Sequence, residues 1–242
     1  LEILCPPVRN WFKDSFPDFT RPQKLAIPAI LDRKNLLLCS PTGSGKTLTA
    51  FLTIIDKLVR LALDNKLEKK VHCVYISPIK ALANDIQRNL IGPLTEISES
   101  YLPDRAQEIK VGLRTGDTSQ SDRQKMLRNP PHILITTPES LAIAITSPRF
   151  QPIVSELEYM IVDELHSLVP TKRGVHLALT LSYLDTLLKV PVQRIGISAT
   201  MEPLEKVAEY LVASDDQESR NNSSSVSIAK VSGSRELDLD IL

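Results

Sequence analysis

The sequence predicts an α/β domain: a mainly parallel, doubly wound sheet with helices on both faces. Short apolar runs of strand length recur at 35–39, 71–77, 109–114, 132–136, 157–163 and 192–197. Helical periodicity fills most of the gaps between them. Short buried strands alternating with amphipathic helices build a parallel sheet, whose ligands gather at the carboxyl ends of the strands.

In chain order, residues 1–34 form a lead-in segment ahead of the first strand, Leu36-Leu37-Leu38-Cys39. A helical stripe then runs through Leu48, Phe51, Leu52, Ile55, Leu58 and Val59. Leu82, Ile86 and Leu90 make a second stripe, and Leu177, Leu181, Leu184 and Leu188 a third. Pro203 opens a fourth, carried by Leu204, Val207, Ala208, Leu211 and Val212, because proline is well placed in a first helical turn. Residues 214–225 are polar and poor in apolar side chains, which predicts a mobile surface loop. Val226–Val231 alternates as a last strand, a candidate for the sheet's edge. The tail from Ser232 to Leu242 points toward a further domain.

Composition narrows the classes. The chain's 242 residues suit one large α/β domain or two small ones, and 42% hydrophobic residues suffice for a core. Its 29 basic and 29 acidic side chains cancel, so a polyanion must be held by local geometry rather than by a global basic field. No apolar run reaches the length of a membrane span, and the first residues lack a signal peptide's basic start and apolar centre. The absence of an initiator Met suggests a piece of a longer chain. Cys5, Cys39 and Cys73 show no metal-ligand spacing. Cys39 and Cys73 lie in apolar strand patterns as buried thiols, which fits a reducing cytoplasm or nucleus.

Two motifs carry chemistry. Residues 40–47 read Ser-Pro-Thr-Gly-Ser-Gly-Lys-Thr, between a strand and a helix. Gly43 and Gly45 let the backbone curl so that several N–H groups face one anion. Lys46 adds a point charge for the outer phosphates, Thr47 a hydroxyl for Mg2+, and the following helix its positive dipole end. Ser40 replaces the glycine that usually opens the pattern. Residues 159–166 read Tyr-Met-Ile-Val-Asp-Glu-Leu-His, a second strand that ends in two carboxylates. Asp163 is assigned to the metal and Glu164 to the water that attacks the γ-phosphate.

Weaker signals surround these. Gln23 follows Thr20 ahead of the first strand; its amide suits the edge of adenine, and a solvent-exposed glutamine explains it as well. Ser-Pro-Ile-Lys-Ala-Leu at 77–82 and Thr-Thr-Pro-Glu-Ser-Leu at 136–141 put hydroxyl residues at helix starts. Such starts hold backbone phosphates or simply cap a helix. Ser198-Ala199-Thr200 relays between sites or caps.

Together these stretches resemble superfamily 2 helicases, over nearly the whole chain and in the family's order. Arg114-Thr-Gly-Asp-Thr-Ser-Gln-Ser, Ser77-Pro-Ile-Lys-Ala-Leu-Ala-Asn-Asp-Ile-Gln-Arg-Asn-Leu90 and Thr171-Lys-Arg-Gly-Val-His-Leu177 look like the large-helicase-related (Lhr) branch. The resemblance implies a first RecA-like ATP-binding domain over 1–242, with a second RecA-like domain absent. It implies that Gln23 reads adenine, that Thr42, Gly43, Ser44, Gly45, Lys46 and Thr47 hold the phosphates, and that Glu164 and Lys46 act in catalysis. It also implies that His166 couples the acids to Ser198 and Thr200, and that Pro78, Lys80, Arg114, Thr137 and Pro138 line a track for single-stranded DNA or RNA. Bland alternatives are a packing role for His166 and plain surface charge for Lys80 and Arg114. For Leu165 the resemblance implies nothing.

Rival functions are a phosphotransferase built on the same loop, for which no lid or acceptor pocket is evident, and an ATP-gated nucleic-acid clamp or docking module without unwinding. The family's second domain supplies an arginine finger, worth ~10³–10⁵ in turnover in other systems. Arg173 and the other basic residues lie in no recognisable finger motif. The isolated 242-residue chain is therefore expected to bind ATP weakly and hydrolyse it slowly or not at all. Brisk hydrolysis stimulated by single-stranded nucleic acid, in a steady-state phosphate-release assay on this fragment, would contradict that.

Overall fold

The computed structural model describes residues 2–41, 43–78, 83–199, 201–212 and 226–231. The order along the chain begins α1 (Pro6–Ser15), α2 (Arg21–Leu31), β1 (Asn35–Cys39), α3 (Lys46–Leu63), β2 (Cys73–Ile76) and α4 (Ala83–Ile86). A π-helical turn (Gln87–Ile91) leads to α5 (Gly92–Ser100), β3 (Val111–Arg114), α6 (Gln120–Arg128), β4 (Ile133–Thr136), α7 (Pro138–Ile145) and α8 (Gln151–Val154). Next come β5 (Tyr159–Val162), α9 (Leu165–Leu168), α10 (Lys172–Leu187), β6 (Gln193–Ser198), α11 (Leu204–Val212) and β7 (Val226–Lys230). Among the described residues the seven strands form one sheet, ordered β3-β4-β2-β5-β6-β1-β7, and every pairing is parallel.

The predicted fold class holds because the apolar runs are buried on both sides. Leu36, Leu38, Cys73, Tyr75, Ile133, Ile135, Ile161, Ile195 and Ile197 face one core, shared with α1, α2, α3 and α5. Their neighbours Leu37, Cys39, Val74, Ile76, Leu134, Met160 and Val162 face the other, shared with α7, α10 and α11. This is strand alternation with a hydrophobic layer on each face. Cys39 and Cys73 are buried free thiols, as expected, and Cys5 joins them. β7 takes the edge beside β1, as its alternation suggested.

The differences are local. The run at 71–77 shortens to Cys73–Ile76 because Val71 and His72 donate outside the β2 ladder, to the Ile153 and His132 carbonyls. The second helical stripe is broken: Ile86 and Leu90 are buried as predicted, but the backbone between them widens into the π turn. Pro93 has no N–H to give and its ring excludes the carbonyl four residues back, so a regular ladder cannot pass through it. Leu188 falls just past the end of α10. Leu82, the loop expected over 214–225 and the tail from 232 lie outside the described residues.

At the amino ends of the strands, His132 is 5% exposed and its Nδ1 accepts the Lys110 N–H at 2.9 Å. Burial, with the charges of His72 and Lys110 adding to it, pushes its pKa down from 6.5 to about 4. The unfolded ring takes a proton as pH falls below 6.5 and the folded ring does not until about 4, so the unfolded state binds more protons in that window and stability falls with falling pH. The full effect is at most about 3 kcal/mol. His132→Asn keeps an acceptor for the Lys110 N–H. In urea titrations across the window it is expected to flatten that slope, and an unchanged slope would refute the assignment.

Candidate functional site

The loop after β1 is built as its residues require. Gly43 and Gly45 sit at φ +78° and +84°, the left-handed region that a side chain disfavours. Gly45 is also the N-cap of the 18-residue α3 and brings no capping side chain, so the first-turn N–H groups of that helix are left for a ligand. The unexpected Ser40 is fully buried, and its Oγ donates to Ser44 Oγ at 2.6 Å, bracing the loop across its base. Lys46 Nζ folds back to donate to the Ser40 and Pro41 carbonyls at 2.6 and 2.7 Å. Burial lowers its pKa, and the charges of Glu164 and Asp163 pull it back up. The ammonium and the two acids therefore share one electrostatic environment. Thr47 is half-buried beside Lys46.

The exposed-glutamine alternative for Gln23 is overturned. The residue is 2% exposed, and its Oε1 accepts the Thr20 N–H at 2.8 Å. A glutamine at the third position of a helix reaches back to the N-cap in this way. The Thr20 hydroxyl lies 4.0 Å from where a Gly45 Cβ would stand, so this segment flanks the loop. The acceptor end of Gln23 is occupied, and Nε2 is the end left for a ligand.

The acid pair ends β5, two strands from β1 with β6 between them, a lateral gap of about 10 Å at ordinary strand spacing. Asp163 is 4% exposed. Its Oδ1 accepts the Glu164 N–H at 2.7 Å, and its Oδ2 accepts the Tyr75 hydroxyl. Burial, helped by the charge of Glu164, raises its pKa to about 6 against the lowering effect of those bonds and of Lys46. Glu164 has φ +55°, a conformation costly for a residue with a Cβ. That turn carries both carboxylates off the strand end toward one cleft. His166 Nδ1 accepts the Ala199 N–H at 3.2 Å, which leaves Nε2–H to donate to Glu164 Oε2 at 3.1 Å. The imidazole thus joins the acid turn to the end of β6, through Ala199 rather than through the expected Ser198. The Ser198 hydroxyl donates to Met201 Sδ.

The rest of the rim is assembled by long-range contacts. Thr137 caps α7, accepting from the Ser140 N–H at 3.3 Å, and both Thr137 and Pro138 are buried. Arg114 is not a plain surface charge: it is 8% exposed, with its guanidinium 5.0 Å from the Phe150 ring centroid. Burial, and Arg123 beside it, lower its pKa. Pro78 is buried, and its carbonyl accepts from Arg173 Nη2 at 3.0 Å. Arg173 also grips Glu139, at 2.6 and 3.1 Å, tying the ends of β2, α7 and α10 together. Thr42, Lys80 and Thr200 lie outside the described residues. Sequence reasoning missed Tyr75 and the clamp role of Arg173, because their partners are 88 and 34 residues away and no local pattern marks them.

A family model for DEAD/DEAH box helicases matches residues 20–208. The chain belongs to that family. It is 48% identical over 243 residues to the ATP-dependent helicase Lhr-Core of Methanocaldococcus jannaschii, across 100% of this chain and 28% of that protein. It also matches the structure of Mycobacterium smegmatis helicase Lhr bound to ssDNA and AMP-PNP, with TM-score 0.80 and 42% identity over 93% of this chain and 27% of that one. The Lhr resemblance drawn from the motifs is thus met in both sequence and structure. Mss116p bound to ssRNA and AMP-PNP shares the fold, with TM-score 0.73 at 19% identity over 94% of this chain and 43% of that one. The chain spans little more than a quarter of the length of the Lhr-Core relatives. No helix among the described residues is long and apolar enough to cross a membrane.

Proposed function

We propose that this chain is the first RecA-like motor domain of an ATP-dependent helicase or translocase. In this reading one half of the rim binds Mg-ATP and the other half the backbone of a single nucleic-acid strand. The observation that carries it is the placement of the phosphate loop and the acid pair at the carboxyl ends of β1 and β5 in one parallel sheet, with only β6 between them. The AMP-PNP and ssDNA named with the M. smegmatis Lhr structure support the same two ligands.

Backbone N–H groups of residues 43–47 wrap the triphosphate. Lys46 releases the Ser40 and Pro41 carbonyls that it now holds and takes the outer phosphates instead, an exchange that keeps its donors satisfied. Gln23 offers Nε2 to adenine. Thr47 and Asp163 present the hard oxygen donors that magnesium selects, and each Asp163 oxygen keeps a lone pair beyond its present hydrogen bond. Held there, the ion would supply positive charge against the phosphates. Glu164 accepts the proton of the attacking water, with His166 holding its other reach fixed against Ala199. On the far half, Arg114 and the hydroxyl of Thr137 are already engaged. What Thr137 and Pro138 offer a strand is therefore the N-terminal end of α7, to which Arg173 ties Pro78. Contacts of this kind hold the backbone without reading bases.

A second RecA-like domain, in the length that the relatives have beyond this chain, closes the cleft and brings the arginine finger. ATP binding then grips the strand and hydrolysis releases it.

In the complete protein, Glu164→Gln is expected to leave fluorescent-nucleotide affinity within about twofold while cutting nucleic-acid-stimulated turnover by about 10² or more. Lys46→Ala should weaken nucleotide affinity itself. Turnover surviving the first change would remove Glu164 as the base, and unchanged affinity after the second would undo the phosphate-loop assignment.

A further inference from the structure

Tyr75 is a fully buried strand residue with a polar end that a phenylalanine would lack. A buried hydroxyl is costly unless it is bonded, and this one donates to Asp163 Oδ2. The geometry follows from register. Tyr75 of β2 pairs with Ile161 of β5, and Asp163, two residues on, emerges on the same face of the sheet. On that face the Tyr75 ring packs against Phe51 of α3, with centroids 5.0 Å apart. Phe51 lies four residues after Thr47, on the same side of the helix.

One rigid side chain therefore touches the helix that carries Thr47 and the carboxylate of Asp163. We propose that Tyr75 is a positioning residue for magnesium. Its ring sets α3 against β5, and its hydroxyl fixes the plane of the Asp163 carboxylate so that the two oxygen donors converge. The Glu164 N–H, at 2.7 Å from Oδ1, is the second point of attachment. Without the phenol, the carboxylate is held at one point only and rotates about it. This rests on the assignment of Thr47 and Asp163 as the magnesium ligands.

The test is equilibrium binding of a fluorescent ATP analogue to the complete protein, titrated with Mg2+ and repeated in EDTA. Tyr75→Phe keeps the ring contact with Phe51 and deletes only the hydroxyl. It is expected to raise the half-saturating Mg2+ concentration about tenfold, the scale on which partners of metal ligands act. Affinity in EDTA should stay within about twofold. In an Asp163→Asn background the same change should produce no further shift, because the hydroxyl acts through that carboxylate. A Mg2+ curve that superimposes on the wild type overturns the proposal. So does an equal loss of affinity in EDTA, which marks a structural role, or a full additional shift in the Asp163→Asn background. If the wild type itself shows no dependence on Mg2+, the ligand assignment fails first, and that is visible before any variant is made.

Discussion

The insertion of β6 between β1 and β5 is the constraint on which the rest depends. Ladder hydrogen bonds on both sides of β6, through the Leu36–Ile195 and Ile161–Ile195 pairs, fix how far the phosphate loop stands from the acid turn. The three strands cannot slide independently. Slipping one by a single residue would turn its apolar side chains out of one core and into the other. Burial on both faces thus locks the register, and the register places the charges.

The turn at Glu164 shows what this rigidity makes possible. Its φ of +55° costs of order 1–3 kcal/mol for a residue with a Cβ. The cost is tolerable because β5 is buried below the turn and His166 anchors it to Ala199 above. An unstrained continuation of the strand would send Asp163 and Glu164 to opposite faces. The strain is what gathers both carboxylates into one place. Asp163 is held by two donors and Glu164 by one, so the more buried acid is also the more tightly oriented.

Beyond the cleft, the rim is cross-braced by polar contacts rather than by the cores. Arg173 joins three element ends through Glu139 and the Pro78 carbonyl. Arg114 stacks over Phe150 with little water contact. These side chains make the strand ends after β2, β3 and β4 a connected surface. Displacement at one end can pass to the next.

The sequence by itself determined the local chemistry. Glycines that need positive φ, a lysine and threonine at a helix start, paired acids after an apolar run and the positions of all seven strands are set within a few residues of one another. Period and turn chemistry are short-range properties, so they can be read from the chain. The tertiary structure alone decided which groups are left free. Gln23 looked exposed because a polar residue between elements usually is, yet helix capping buries it against Thr20. For Arg114 the alternative of plain surface charge stood open because nothing nearby in sequence announces Phe150. The Tyr75–Asp163 bond spans 88 residues and exists only because β2 and β5, far apart in sequence, are neighbours in the sheet. Pairing at that range is decided by the combined burial of many side chains, and no single stretch of sequence contains it.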